Sequence, residues 1–125
     1  MNDALKTEIA AINARWDEAF NRGDAAAVAA LYDAESAVLP AGGDAALGLP
    51  AIQALFAGAI AGGVHDHRIE MHAVAGDGGY ATQRGRWSAR AKGADGAVQT
   101  FSGHITVVYR RQPDGSLRAL THIWN

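Results

Sequence analysis

Apolar residues recur at three- and four-residue steps in the first half of the chain, and strand-like stretches divided by glycine-rich turns fill the second half. Leu5, Ile9, Ile12, Trp16, Ala19 and Phe20 mark one face of an amphipathic helix from about Asp3 to Arg22. Gly23 suits the left-handed position that ends such a helix, and Asp24 can cap the next one by accepting backbone N–H bonds. That second helix, predicted from about Ala25 to Tyr32, is short and alanine-rich, so packing has to hold it. A short strand at Ala37–Pro40 leads through a glycine-rich loop to a third helix beginning at Leu49-Pro50. Proline takes its favoured first position there, and Ile52, Leu55, Phe56 and Ile60 form the buried stripe. Beyond Gly62-Gly63, strands are predicted at about His67–Val74, Tyr80–Lys92, Val98–Arg111 and Leu117–Trp124, with Gly76–Gly79, Gly93–Gly96 and Pro113–Gly115 as turns.

This order of elements predicts an α+β fold. Three N-terminal helices cover the concave face of one curved sheet, antiparallel or mixed, and the sheet forms a cone with a pocket. Short connections favour antiparallel pairing. The stretch Val98–Arg111 carries apolar residues on both faces, with Phe101, Ile105, Val107 and Tyr109 on one and Val108 beside His104 and Thr106 on the other. Helices cover only one side, so a homodimer through the outer sheet face is expected.

The 125 residues fit a single domain, residues 1–125. A formal net charge of −2 gives no reason to propose a nucleic-acid or anionic-membrane partner. The absence of cysteine excludes disulfides, thiolate metal sites and cysteine nucleophiles. The N-terminal residues do not read as a signal peptide, and no apolar run approaches the ~18 residues of a membrane span, so a cytoplasmic protein is expected.

Several fragments carry a family likeness: Trp16-x-x-Ala19-Phe20-Asn21-x-Gly23-Asp24, Leu31-Tyr32, Leu39-Pro40-x-Gly42, Gly48-x-Pro50-Ala51-Ile52, Val107–Arg111, Asp114-Gly115 and Ile123-Trp124-Asn125. In order and spacing they resemble the SnoaL-like, nuclear-transport-factor-2-like superfamily, with relatives such as ketosteroid isomerase, polyketide cyclases and scytalone dehydratase. The resemblance implies a cone whose pocket lies between the helices and the concave sheet. It does not fix the reaction, because this superfamily holds enzymes and non-enzymes alike. The positions of the isomerase's tyrosine and two aspartates fall at Trp16, Leu39 and near Val107. Enolisation needs a base and an oxyanion donor, and neither Leu39 nor Val107 is one, so a ketosteroid isomerase mechanism is not expected.

By the same resemblance, the last strand points Leu120, His122 and Trp124 into the pocket, and their two-residue spacing is consistent with one shared face. His122 is the leading candidate for acid–base catalysis, with Tyr32 as partner; many relatives carry an acid at its position. The plainer readings are a core histidine that shapes the cavity and a tyrosine packed on its ring. Trp16, Leu39, Phe56, Leu120 and Trp124 are expected to contact a ligand. His65 and His67 form the one metal-like pair, but they need further ligands and read as a solvated, metal-free pair at the rim. Arg84, Arg86 and Arg90 share a strand face and are expected to point outward, since buried guanidiniums without acids are costly. Asp17, Glu18, Asp33 and Glu35 read as solvated surface.

The resulting expectation is a pocket protein for a small apolar organic molecule, and, if catalytic, a cofactor-free acid–base enzyme of isomerase, cyclase or dehydratase type. The alternative is a non-catalytic ligand-binding or dimeric assembly domain.

Overall fold

The computed structural model describes residues 3–125. Three helices, α1 (Asp3–Asn21), α2 (Ala25–Ala29) and α3 (Leu49–Ala61), cover one face of a six-stranded sheet. Its strands are β1 (Tyr32–Leu39), β2 (Ala46–Leu47), β3 (His65–Gly76), β4 (Tyr80–Lys92), β5 (Val98–Arg111) and β6 (Leu117–Trp124), in the order β2-β1-β6-β5-β4-β3. The sheet is mixed, with β1 and β6 parallel and the other neighbours antiparallel. It is curved and not closed into a barrel, so its concave face depends on the helices for cover. Among the described residues no helix is long and apolar enough to cross a membrane.

The core forms where the stripe of α1 meets the sheet. Ile9, Ile12, Trp16, Ala19 and Phe20 pack with Ile52 and Phe56 of α3 and with Val38, Val107, Tyr109, Leu117 and Ala119 of the strands. Asp24 caps α2 by accepting the Ala27 N–H at 3.0 Å. That helix is shorter than predicted and stops at Ala29. Tyr32 does not end it but opens β1, which begins five residues before the predicted strand. Tyr32 lies opposite Ala119 of β6, and the Ala119 N–H donates to the Leu31 carbonyl at 3.0 Å. A helix of one turn has little cohesion of its own, so ladder pairing with β6 takes the boundary residues.

Two irregularities decide where side chains point. In β3, Arg68 pairs with Ser88 but His65 with Arg90, and a second shift falls between Met71 and Ala73. In β6, Val108 lies opposite Thr121 and Tyr109 opposite Ala119, leaving Leu120 as the extra residue of a bulge. Gly85 of β4 lies opposite Met71, and a Cβ there would meet the Glu70 carbonyl oxygen, so only glycine allows β3 to approach this closely.

Asp33 is not surface: it is 2% exposed. Its carboxylate accepts from Arg110 Nε at 2.9 Å and Nη2 at 2.6 Å, from Gln112 Nε2 at 2.6 Å and from the Glu35 N–H at 2.8 Å. The Arg110 guanidinium, ahead of the other donors, holds this carboxyl well below the usual range. Arg84 and Arg90 are exposed, alternating with the buried Gln83 and Ala89. Arg86 lies between them in the same register and bonds His104 at 3.1 Å and Ser102 at 3.3 Å.

Candidate functional site

A cavity of about 370 Å³ lies between α1, α3 and the concave sheet. Its wall is mostly aromatic and aliphatic, with two imidazoles, His67 and His122, and one flexible cation, Lys92. Behind His122 a smaller chamber of about 20 Å³, room for one water molecule, is lined in part by Asn13, Tyr32, Gln83 and Tyr109.

Helix α1 supplies one side. Residues 13, 16, 17 and 20 fall on neighbouring rows of its inner face. Trp16 and Phe20 stack at 5.2 Å with their planes 11° apart, and Phe56 of α3 meets Trp16 edge-on at 5.2 Å. Trp16 also lies against both histidines, its ring centroid 4.4 Å from that of His67 and 6.4 Å from that of His122.

The first imidazole belongs to an ordered pair. His67 Nδ1 is 2.8 Å from Asp17 Oδ1, while Asp17 Oδ2 accepts the Ile69 N–H at 2.9 Å. Asn21 holds the His67 backbone from both sides, accepting its N–H at 2.8 Å and donating to its carbonyl at 2.9 Å. The ring stacks on Trp87, 6.1 Å away with planes 7° apart. A carboxylate can only accept, so Nδ1 carries the proton, and in the neutral ring Nε2 keeps its lone pair.

The second imidazole is held in the opposite sense. Tyr32 Oη lies 2.8 Å from His122 Nδ1 and accepts the Trp16 indole N–H at 3.0 Å. Indole nitrogen only donates, and the tyrosine hydroxyl has no other partner among the described residues. Its hydrogen therefore goes to His122 Nδ1, which places the ring proton on Nε2. His122 is 6% exposed. Burial, and next the nearby His67, pull its pKa down to about 3, so it is neutral at physiological pH. Burial pushes the Tyr32 phenol well above its ordinary value, so it stays a donor. Ser36 Oγ is the only sealed side-chain polar atom without a partner among the described residues. Nε2 of His67 and Nε2 of His122 have no partner among the described residues either, yet they are not sealed: both rings border the cavity.

The small chamber adds a polar floor. Asn13 Nδ2 donates to Gln83 Oε1 at 3.0 Å, and Gln83 Nε2 donates to Asn13 Oδ1 at 2.7 Å and to Tyr109 Oη at 2.5 Å. These partners satisfy a glutamine that is 1% exposed.

Of the residues singled out from sequence, Trp16, Phe56, His122 and Trp124 line the main cavity, and Tyr32 lines the chamber behind it. Leu39 and Leu120 line neither. Leu39 alternates with the fully buried Val38 and is on the other face of β1. Leu120 is displaced by the bulge, which switches the inward face of β6 from Leu117 and Ala119 to His122 and Trp124. His65 and His67 do not share a side: the register shift and Asp66, at φ 51°, lie between them. His65 instead pairs with Asp66 at 3.2 Å. Among the described residues no group of three potential metal ligands forms. Asp17, read as solvated, has a side chain only 20% exposed. The alternation His67-Arg68-Ile69-Glu70-Met71 is the signal for His67, since it sets that histidine on the face of Ile69 and Met71. No local pattern announced Asp17, Asn13 or Gln83.

Comparison with known proteins agrees with this architecture. The family model described as a SnoaL-like domain matches residues 13–119. A ketosteroid isomerase-like protein from Erwinia carotovora atroseptica superposes with a TM-score of 0.82 at 23% identity, over 99% of this chain and 96% of that one. An NTF2-like protein with a cystatin-like fold from Novosphingobium aromaticivorans gives 0.80 at 25% identity, over 95% and 79%. An NTF2-like superfamily protein from Salmonella enterica gives 0.81 at 16% identity, over 100% and 92%. At these identities the likeness speaks for fold. No curated protein matches the chain.

Proposed function

Because the chain belongs to the SnoaL-like domain family, we propose that it binds a small, largely apolar organic molecule in the aromatic cavity and acts on it by acid–base chemistry of isomerase or dehydratase type, with no cofactor taking part. The observation that carries this reading is the opposite state of the two imidazoles on one apolar wall. His67, oriented by Asp17, offers a lone pair at Nε2; His122, oriented by Tyr32, offers a hydrogen at Nε2. A carbonyl held by His122 gains a donor for the negative charge that develops on its oxygen. His67 then takes a proton from the adjacent carbon, and Asp17 stabilises the imidazolium that forms. His122, buried and neutral, acts better as a donor than as a base, which reverses the emphasis that its sequence position suggests.

The test is proton exchange at the α-carbon of 2-tetralone in D2O, followed by NMR. The wild-type protein is expected to accelerate exchange over buffer. His67→Gln and Asp17→Asn are each expected to reduce the protein-dependent rate by about 100-fold or more. Wild-type exchange at the buffer rate, or unchanged exchange in both variants, refutes the catalytic reading. Binding without exchange favours the alternative of a non-catalytic ligand-binding or assembly domain, for which the outward-facing Ile123 and Leu47, 46% and 69% exposed, are the supporting observation.

A further inference from the structure

We infer that the small chamber is a binding site for one water molecule, which joins Tyr109 to Tyr32 and completes a chain of hydrogen bonds that all donate towards the ligand through His122. The inference rests on the donor role given to His122 above and extends the set of residues behind it. Strand register makes the site. Tyr32 of β1 and Tyr109 of β5 both lie opposite Ala119 of β6, so the two buried phenols flank an alanine and leave space between them. Ala119 lines the chamber together with both tyrosines. Its volume of about 20 Å³ holds one water, and a buried water is kept where roughly two to four polar groups reach it.

The hydrogens fix the direction. Both Nε2 hydrogens of Gln83 are taken, one by Asn13 Oδ1 and one by Tyr109 Oη. Tyr109 Oη therefore accepts from Gln83, and its own hydrogen has no acceptor among the described residues, although the residue is buried. A chamber water can take it. Tyr32 Oη accepts the Trp16 N–H and gives its hydrogen to His122 Nδ1, which leaves a second lone pair for a hydrogen of that water. The Asn13 carbonyl oxygen, also in the chamber wall, can accept the other. Burial pushes both phenols up, so each keeps its proton. The donors then run one way: Gln83 to Tyr109, Tyr109 to water, water to Tyr32, Tyr32 to His122 Nδ1, and His122 Nε2 to the ligand oxygen. Bonds in such a line polarise one another without any proton leaving its atom. Tyr109 does not line the main cavity, so it is a positioning residue that acts on the ligand through the water, Tyr32 and His122.

Two measurements test this. Without ligand, the 15N resonance of His122 Nδ1, assigned by its loss in His122→Asn, reports the bond that nitrogen accepts, because a stronger donor shields it. In Tyr109→Phe it is expected to move downfield, towards an unbonded nitrogen. In Ala119→Val, whose side chain fills the place of the water, it is expected to move the same way, and this variant decides alone if Tyr109→Phe does not fold. In the exchange of 2-tetralone in D2O, Tyr109→Phe is expected to lower kcat roughly three- to fivefold with KM unchanged, the scale of a cooperative contribution. A resonance unmoved in Tyr109→Phe, or an unchanged kcat there, overturns the chain. A resonance that moves there but not in Ala119→Val overturns the water within it. Wild-type protein without exchange refutes catalysis and leaves the resonance to decide the chain. A wild-type proton found on Nδ1 overturns the chain and the donor role together.

Discussion

Replacing His122 with asparagine should remove a pH dependence of stability that this one residue creates. In the folded protein the imidazole is buried, neutral and pulled down to about 3. In the unfolded chain a histidine titrates at its ordinary value of about 6.5. The folded value is the lower one, so the stabilising contribution is complete above pH 6.5 or so and is lost progressively as pH falls towards 3. Each pH unit below the unfolded value costs about 1.4 kcal/mol, so a move from about pH 7.5 to about pH 5 costs about 2 kcal/mol. At pH 5 or so the native ring is still neutral, and aspartates of the unfolded chain remain mostly ionised, which isolates the histidine. Asparagine places an acceptor oxygen near the position of Nδ1 and so keeps a partner for the Tyr32 hydroxyl. Urea unfolding at the two pH values measures the difference. The wild-type midpoint is expected to fall by about 1 M more than that of His122→Asn, given a urea dependence of about 2 kcal/mol per molar. Equal losses in the two proteins would show that His122 is already solvated or charged in the native state. The buried, neutral imidazole assigned to the native state would then fail.

Asp33→Asn leaves Arg110 with only the exposed Glu35, and is expected to lower the thermal midpoint by roughly 5–10 °C. Because the Asp33 carboxyl is held low by Arg110, its contribution is present above the ordinary carboxylate pKa and lost as pH falls below it. The variant should therefore lose less stability than wild type between about pH 5 and pH 3, and parallel acid limbs in calorimetry would contradict the pairing. We also propose a homodimer through the outer sheet face at its β1–β6 end, where Leu39 and Ile123 lie opposite each other and Leu47 pairs with Ala37. Sedimentation at micromolar concentration is expected to give twice the chain mass and Ile123→Asp a single chain; wild type sedimenting as one chain refutes it.

The sequence alone determined the features that depend on near neighbours. The three helices, the caps at Gly23 and Asp24, proline at the start of α3 and the extents of β4, β5 and β6 are written in spacings of two to four residues, which report local backbone periodicity directly. The pocket's aromatic members Trp16, Phe56 and Trp124 were legible for the same reason, with the family likeness supplying the direction they face. The tertiary structure decided what local periodicity cannot carry. Asp17 meets His67 across 50 positions and Arg110 meets Asp33 across 77, and only the seating of α1 and the order of strands bring these partners together. The two-residue rule that placed Leu120 with His122, and His65 with His67, assumes an unbroken pleat. One extra residue in β6 and a left-handed Asp66 in β3 break it. Such a bulge is chosen by the curvature of the whole sheet and the packing beneath it, a global balance that no short window of sequence records.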